Sequence, residues 1–157
     1  MRRSRKAATV ATTAIYADEL EIGRRYQLDS YEMTEDEIVG FAQQWDPQDF
    51  HTDAGIAETG EYGGLIASGI HTIAVYQRLS VTGVFDDWSV VAGRELHDVR
   101  FLRPVRPGDV LTGTLTIEGI VFDDRQRALV TTSAELINQR GDAVMTLVLD
   151  AFVRARR

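Results

Sequence analysis

A long uncharged segment in the middle of the chain is typical of a buried helix. Residues 65–77 contain no Asp, Glu, Lys or Arg. Apolar side chains here and just beyond cover most of the circumference of a helix: Ile70, Ile73, Ala74, Val75, Tyr76 and Leu79. A helix that is apolar nearly all round is one that other elements enclose. The pattern therefore predicts a buried helix that begins near Ser68 or Gly69 and ends at residues 82–83.

An amphipathic helix is predicted further upstream. Residues 34–37 read Thr-Glu-Asp-Glu, which is a capping box at a helix start. Apolar residues then recur at helical spacing: Ile38, Phe41, Ala42 and Trp45. Pro47 disfavours helical geometry at the residue before it, so the helix should end at Asp46. The carboxylate of Asp46 can then point away from the helix.

The second half of the chain has the two-residue period of β-strands. Leu111, Leu115 and Ile117 alternate with threonines, and residues 128–137 and 145–153 also read as strands. Turn sequences at residues 123–125 and 138–142 separate these strands. Tight turns between alternating segments indicate antiparallel pairing.

Together these elements predict an α+β protein with a hotdog fold, in which a long antiparallel sheet curls round one buried helix. Such a sheet has open edges, and a single copy would leave backbone groups unpaired there. We therefore expect a homodimer whose two sheets are continuous.

Length and composition fit one domain. The chain has 157 residues, of which 44% are hydrophobic and 26% charged. Residues 1–18 read as a disordered tail and residues 19–157 as the domain. There is no Cys, which excludes disulfides and thiolate sites and is compatible with the reducing cytoplasm that we expect as its location.

The charge balance makes some partners poor candidates. The net charge is −7, and four of the cations lie in the first six residues. Without that basic start the net charge falls to −11, so the body should repel a polyanion such as nucleic acid. No apolar run reaches membrane-spanning length, so we expect no membrane partner.

The candidate chemistry lies between the two predicted helices. Asp46 and His51 are five residues apart, on a turn that leads towards the N-terminus of the buried helix. His gives and takes protons near neutral pH, and Asp can orient an imidazole or a water. Free N–H groups at the helix start suit a developing oxyanion. The alternative interpretation is that Asp46 only caps a turn and that His51 is a loop residue with satisfied hydrogen bonds.

The other histidines give weaker signals. His71 reads as a core histidine with a hydrogen-bond partner, and His97 as a surface residue of a strand. The three His residues match no metal-ligand spacing, so no metal site is predicted. There is also no phosphate-binding Gly-Lys loop and no Gly-x-Ser-x-Gly elbow.

Two motifs resemble those of the MaoC-like acyl dehydratases, which include R-specific enoyl-CoA hydratases. The first is Asp-Pro-Gln-Asp-Phe-His at residues 46–51 with Gly-Gly-Leu-Ile-Ala-Ser-Gly at residues 63–69. The second is Phe-Leu-Arg-Pro-Val-Arg-Pro-Gly-Asp at residues 101–109. The resemblance extends from about Tyr26 to the C-terminus and also implies a hotdog fold.

The resemblance implies reversible addition of water to a trans-2-enoyl thioester of coenzyme A or acyl carrier protein. Asp46 and His51 would be the catalytic pair, and the backbone N–H of Gly69 would polarise the thioester carbonyl. Further residues are expected to bind substrate: Gly64, Ser68, Arg103 and Arg106. The two arginines are candidates for the carrier's phosphates, or else solvated cations. No separate cofactor is implied, because coenzyme A belongs to the substrate.

Two positions depart from the family pattern. Asp49 stands where a related branch has Pro, and Ser68 stands where many hydratases have His. An added carboxylate two residues from His51 would favour the imidazolium. Two other functions remain open on this fold, an acyl-CoA thioesterase and a non-catalytic subunit that binds acyl thioesters.

Overall fold

The structure, a computed structural model, describes residues 13–157. The elements in chain order are β1 (Arg25–Gln27), β2 (Tyr31–Glu32), α1 (Glu35–Trp45), α2 (Asp49–Thr52), α3 (Ala54–Glu58), α4 (Gly69–Gly83), β3 (Val90–Phe101), β4 (Val110–Phe122), β5 (Arg127–Ile137) and β6 (Ala143–Arg154). Short 3₁₀ turns lie at Ala17–Glu19 and Phe85–Asp87. Among residues 13–157, no helix is long and apolar enough to cross a membrane.

The strands form one antiparallel sheet in the order β1–β4–β5–β6–β3, and β2 also pairs with β4. Buried and less buried side chains alternate along β4 and β5, as the two-residue period predicts. The apolar face carries most of the core, for example Leu115, Ile117 and Val130. The predicted α+β class and antiparallel meander are confirmed.

Helix α1 begins and ends where its sequence predicts. The Thr34 hydroxyl accepts a hydrogen bond from the Glu37 N–H at 3.3 Å, which caps the first turn. The last helical residue is Trp45, and Asp46 has the non-helical angles φ −153° and ψ 69°. Pro47 therefore stops the helix at Trp45, two residues before itself, and Asp46 is released from the helical geometry.

Helix α4 is buried on one side only, which corrects the prediction of a helix enclosed all round. Val75, Tyr76 and Leu79 pack into the core with the sheet. The opposite side leaves Ile70 56% exposed, and Ala74 and Gln77 are exposed too. The number of apolar residues round a helix shows how much of its surface could be buried. It does not show whether the rest of one chain supplies enough elements to cover that surface.

Most of the predicted disordered tail, residues 1–12, lies outside the described residues. Residues 13–18 differ from that prediction. The N–H of Ile15 donates to the carbonyl of Asp87 at 2.7 Å, and Ala17 is buried. Part of the predicted tail is therefore ordered. Backbone pairing with a distant part of the chain holds residues 15–17, and their composition alone does not predict this.

Candidate active site

Asp46 lies at the C-terminal end of α1. Its own N–H still donates to the Ala42 carbonyl at 2.8 Å, which fixes the backbone to the last helical turn. The carboxylate points away from the helix. The amide of Gln48 donates to Asp46 Oδ1 at 2.7 Å, and the hydroxyl of Ser68 donates to Oδ2 at 2.7 Å. Both carboxylate oxygens are thus held in place.

His51 lies on α2, the short helix that follows, and it is 4% exposed. Its Nδ1 is 2.6 Å from the carbonyl oxygen of Ile66. A carbonyl can only accept, so the hydrogen-bond network assigns the proton to Nδ1. Nε2 is then left to gain or lose a proton, and it lies 3.3 Å from Asp46 Oδ2.

Ser68 connects this pair to α4. It is fully buried, and its hydroxyl accepts from the N–H of Ile70 at 3.2 Å while donating to Asp46. The Ser68 hydrogen bond is the main reason that the pKa of Asp46 lies below its usual range, and the Gln48 amide is the second. Asp46 is therefore a carboxylate at neutral pH.

The first residue of α4, Gly69, has no helical partner for its N–H, and the positive end of the helix dipole lies there. The ring of Phe101 packs directly against this glycine. A Cβ added at Gly69 would lie 2.6 Å from Cζ of Phe101. Any larger residue at this position would force the Phe101 ring to move.

A cavity of about 380 Å³ opens beside these groups. Its walls come from the turn with Asp46 and His51, from the start of α4 and from residues 101–105. A wider cleft of about 520 Å³ lies on the other face of the sheet, among Arg100, Thr114 and Glu135. That cleft contains no acid–base pair held as Asp46 and His51 are, so the smaller cavity is the better candidate site.

A family model described as "MaoC like domain" matches residues 18–139. The chain belongs to this family. A protein designated UPF0336 from Streptomyces avermitilis is 32% identical over 145 residues, covering 88% of this chain and 95% of that protein.

Solved structures agree with this membership. A MaoC-like dehydratase from Rhodospirillum rubrum has a TM-score of 0.83 and 32% identity, with 92% of this chain and 99% of that chain covered. An R-hydratase from Pseudomonas aeruginosa, in its unliganded form, has a TM-score of 0.75 and 24% identity, with 91% and 88% covered. The predicted hotdog fold and the predicted MaoC-like resemblance are confirmed.

The predicted site residues of this MaoC-like chain divide into two groups. Asp46, His51, Ser68 and Gly69 lie together at the cavity, although Ser68 faces Asp46 and not the open space. Arg103 borders the cavity, and its guanidinium donates to the Ala143 carbonyl at 3.2 Å.

The other two predicted substrate-binding residues have structural contacts. Arg106 donates to the carbonyl of Tyr62 at 2.6 Å, which ties the loop before α4 to the chain after β3. Gly64 has φ +158° and lies against the Arg106 side chain, where an added Cβ would approach its guanidinium to 3.5 Å. Neither is among the residues that border the MaoC-like cavity.

Sequence reasoning missed three parts of the site. The Ile66 carbonyl, which sets the His51 tautomer, comes from a backbone group and leaves no mark in the sequence. Gln48 lies in the first motif, yet its contact with Asp46 depends on the turn that Pro47 imposes. Phe101 opens the second motif, and only the fold brings it to Gly69.

The remaining histidines lie away from this cavity. His71 is buried and stacks on Phe41, with ring centroids 4.5 Å apart, and its Nδ1 has no hydrogen-bond partner within residues 13–157. His97 lies between the carboxylates of Asp98 at 2.9 Å and Asp150 at 3.1 Å. In the part of the chain that the structure describes, no group of three or more His, Asp or Glu residues could hold a metal ion.

Proposed function

We propose that this MaoC-like protein adds water reversibly to a trans-2-enoyl thioester and forms an R-3-hydroxyacyl thioester. The observation that carries the proposal is the orientation of His51. Its Nδ1 is engaged by the Ile66 carbonyl, so its free Nε2 faces an ionised Asp46 at the edge of a cavity. A base and a carboxylate held side by side can bind one water between them.

In the hydration direction, His51 Nε2 takes one proton from that water and the oxygen bonds to C3 of the enoyl group. Electrons of the double bond move towards the thioester carbonyl, whose oxygen becomes negative. The N–H of Gly69 and the α4 dipole stabilise this charge. A proton is then delivered to C2 from the Asp46–His51 pair, on the same face as the new C3–O bond. Dehydration reverses each step.

Coenzyme A is the carrier that we propose, bound as part of the substrate, and the steps above use no separate cofactor. Arg103 is exposed at the cavity rim and is the candidate partner for its phosphates. An acyl carrier protein would present the same thioester, and a comparison of the two carriers at equal acyl length distinguishes them.

The test follows the ultraviolet absorbance of the conjugated enoyl thioester after crotonyl-CoA is mixed with the protein. We expect absorbance to fall without release of free thiol. His51→Ala and Asp46→Asn should each lower turnover by at least ~10²-fold, the low end for a positioned acid–base group. Asp124→Asn, in an exposed turn, is the matched control and should keep wild-type activity.

Other outcomes would replace the proposal. Thiol release by the wild type would assign the protein to the thioesterases. Ligand binding without turnover over a series of acyl lengths would indicate a non-catalytic binding subunit. Full activity of His51→Ala, with an unchanged circular dichroism spectrum, would remove the pair from the mechanism.

A further inference from the structure

Strand β3 contains a β-bulge just before it reaches the candidate cavity. His97 pairs with residue 148 of β6 and Arg100 pairs with residue 146. Two residues of β3, Asp98 and Val99, therefore lie opposite a single residue of β6. A bulge of this kind adds one residue to one strand, so every side chain beyond it points to the opposite face of the sheet from the one it would otherwise take.

The bulge decides which way Phe101 points. His97 lies on the outer face of the sheet, away from α4. Strict alternation along the strand would place Phe101 on that outer face as well. Because of the extra residue, Phe101 instead pairs with the buried Met145, and its ring lies against Gly69 at the start of α4. Residues 102–105 continue from Phe101 and form the rest of this cavity wall.

Asp98 has a backbone conformation in the bulge that needs support. Its φ is +51°, in the left-handed region that glycine adopts most readily. In bulges whose first residue is left-handed, that residue is usually glycine. An Asp is tolerated there because its short side chain can make a local hydrogen bond. The carboxylate of Asp98 accepts such a bond from Nδ1 of His97 at 2.9 Å.

His97 connects the carboxylate of Asp98 to the neighbouring strands. Its Nε2 is 3.1 Å from Oδ2 of Asp150 on β6. The other oxygen of Asp150 accepts a hydrogen bond from the hydroxyl of Thr131 on β5 at 2.7 Å. These four side chains form a line of hydrogen bonds across the outer face, which we call the His97 clamp. The clamp ties the bulge of β3 to two other strands.

The complete clamp requires a charged His97. Both ring nitrogens face carboxylates, which can only accept when they are ionised, so each nitrogen must carry a proton. A neutral ring keeps one N–H and turns a lone pair towards the other carboxylate, which removes one of the two hydrogen bonds. The hydrogen bond to Asp98, with a further one to Asp150, raises the pKa of His97. Other charged side chains lie on the same face of the sheet: Glu95, Arg100 and Glu135.

We propose that His97 is a positioning residue for the candidate active site, because its charged ring holds Asp98 in the bulge and so keeps Phe101 against Gly69. When the ring loses its proton, the bulge loosens and the cavity wall at residues 101–105 is no longer fixed. The step from this wall to substrate binding rests on the function proposed above. A pH-sensitive contact on the outer face of the sheet thus controls the shape of the cavity on the inner face.

The expected pH trend is opposite to that of the acid–base pair. The pKa of His97 in the folded state lies above the unfolded value of about 6.5. The clamp is therefore complete below about pH 6.5 and is lost as the pH rises through the folded pKa. His51 accepts a proton only when it is neutral, so acidification removes its contribution. Weaker substrate binding at high pH is thus the effect expected of His97 and not of His51.

A fluorine label on Phe101 tests the proposal without catalysis. 4-Fluorophenylalanine, incorporated at this position alone, reports by fluorine NMR whether the ring stays against Gly69. We expect a single sharp resonance at about pH 6 and a shifted or broadened one at about pH 9. His97→Gln cannot be charged and should give the high-pH spectrum at both pH values. His97→Lys stays charged over this range and should give the low-pH spectrum at both.

Kinetics with crotonyl-CoA separate substrate binding from chemistry in the same variants. His97→Gln should raise KM roughly 10-fold at about pH 6 and leave kcat within about twofold, because the wall moves while Asp46 and His51 are unchanged. Adding Asp98→Gly to His97→Gln should restore KM, since glycine adopts left-handed angles without a clamp. Glu135→Gln is the matched control: it removes a charge from the same face outside the clamp and should behave as the wild type.

Each result decides the question. A resonance that moves with pH in the wild type and not in His97→Lys supports the proposal. A wild-type resonance that does not move, a pH shift that persists in His97→Lys, a low-pH wild-type spectrum in His97→Gln, or an altered spectrum in Glu135→Gln would overturn it. The fluorine spectra need no turnover, so they give an answer even if the protein fails the hydratase assay. Full hydratase activity with an unmoved resonance would overturn this inference alone.

Discussion

At the scale of single residues, Ser68 has a role that its neighbours explain. One hydroxyl accepts a hydrogen bond from the second residue of α4 and donates another to Asp46. It therefore fixes the carboxylate of Asp46, the proposed catalytic group, relative to the N–H of Gly69, where the oxyanion is proposed to form. We assign Ser68 as a positioning residue, in place of the substrate-binding role that the sequence predicts.

Ser68→Ala should move the acid limb of the pH–activity profile to higher pH. Its hydroxyl is the main cause of the lowered Asp46 pKa, so removing it raises that pKa and the carboxylate protonates earlier on acidification. A hydrogen bond to a charged group contributes about 1.5–3 kcal/mol, so we expect kcat to fall about 10-fold or more. Steady-state kinetics over a pH series measures both effects.

The control for this variant is Thr34→Ala, which removes the cap of α1. Losing a cap costs about 1 kcal/mol at either helix. Both variants should therefore unfold at lower urea concentrations than the wild type, and by a similar amount. Only Ser68→Ala should shift the acid limb. An unmoved limb in Ser68→Ala would mean that Asp46 ionisation does not control the rate.

At the scale of elements, the contact between α1 and α4 contains a histidine that stays neutral. The ring of His71 stacks on Phe41 of α1, with an angle of 8° between the rings. Burial lowers the pKa of His71, and the nearby charge of Glu37 offsets this in part. Protonation would place a positive charge in an apolar contact, so folding favours the neutral ring.

Because of the contact between His71 and Phe41, the free energy of unfolding should fall as the pH is lowered. The pKa of His71 in the folded state lies below the unfolded value of about 6.5. The stability that the neutral ring contributes is therefore complete above about pH 6.5, and it is lost as the pH falls towards the folded pKa. His71→Phe keeps a stacked ring without a titrating group. We expect the wild type to lose more stability than His71→Phe between about pH 8 and about pH 5, measured as urea midpoints. Equal losses would exclude His71 as the source.

The elements also differ in how well a sequence predicts them. The bounds of α1 follow from Thr34 and Pro47, which act on the backbone beside them, and the structure agrees. The stripe of α4 that stays exposed does not follow from local rules, because Ile70 reads as core by periodicity alone. The order of strands is equally non-local. Asp46 and His51 were predictable as a pair since they are only five positions apart in the chain, whereas the Ile66 carbonyl and Phe101 reach the site only through the fold.

At the scale of the whole molecule, the open features lie on one side. The β3 edge, the exposed stripe of α4 and the uncovered wall of the candidate cavity meet at Phe101. The homodimer that the sequence predicts would cover the exposed apolar residues of β3 and α4 together. Folding and assembly are in that case coupled, and stability must depend on how much protein is present.

The melting temperature should therefore fall on dilution. When a dimer unfolds into two chains, each tenfold dilution lowers the free energy of unfolding by about 1.4 kcal/mol of dimer. With the usual unfolding entropy per residue, a hundredfold dilution should lower the melting temperature by about 4 °C. Calorimetry over a concentration series measures this shift. A wild-type melting temperature that is independent of concentration would show that one chain is stable with its β3 edge uncovered.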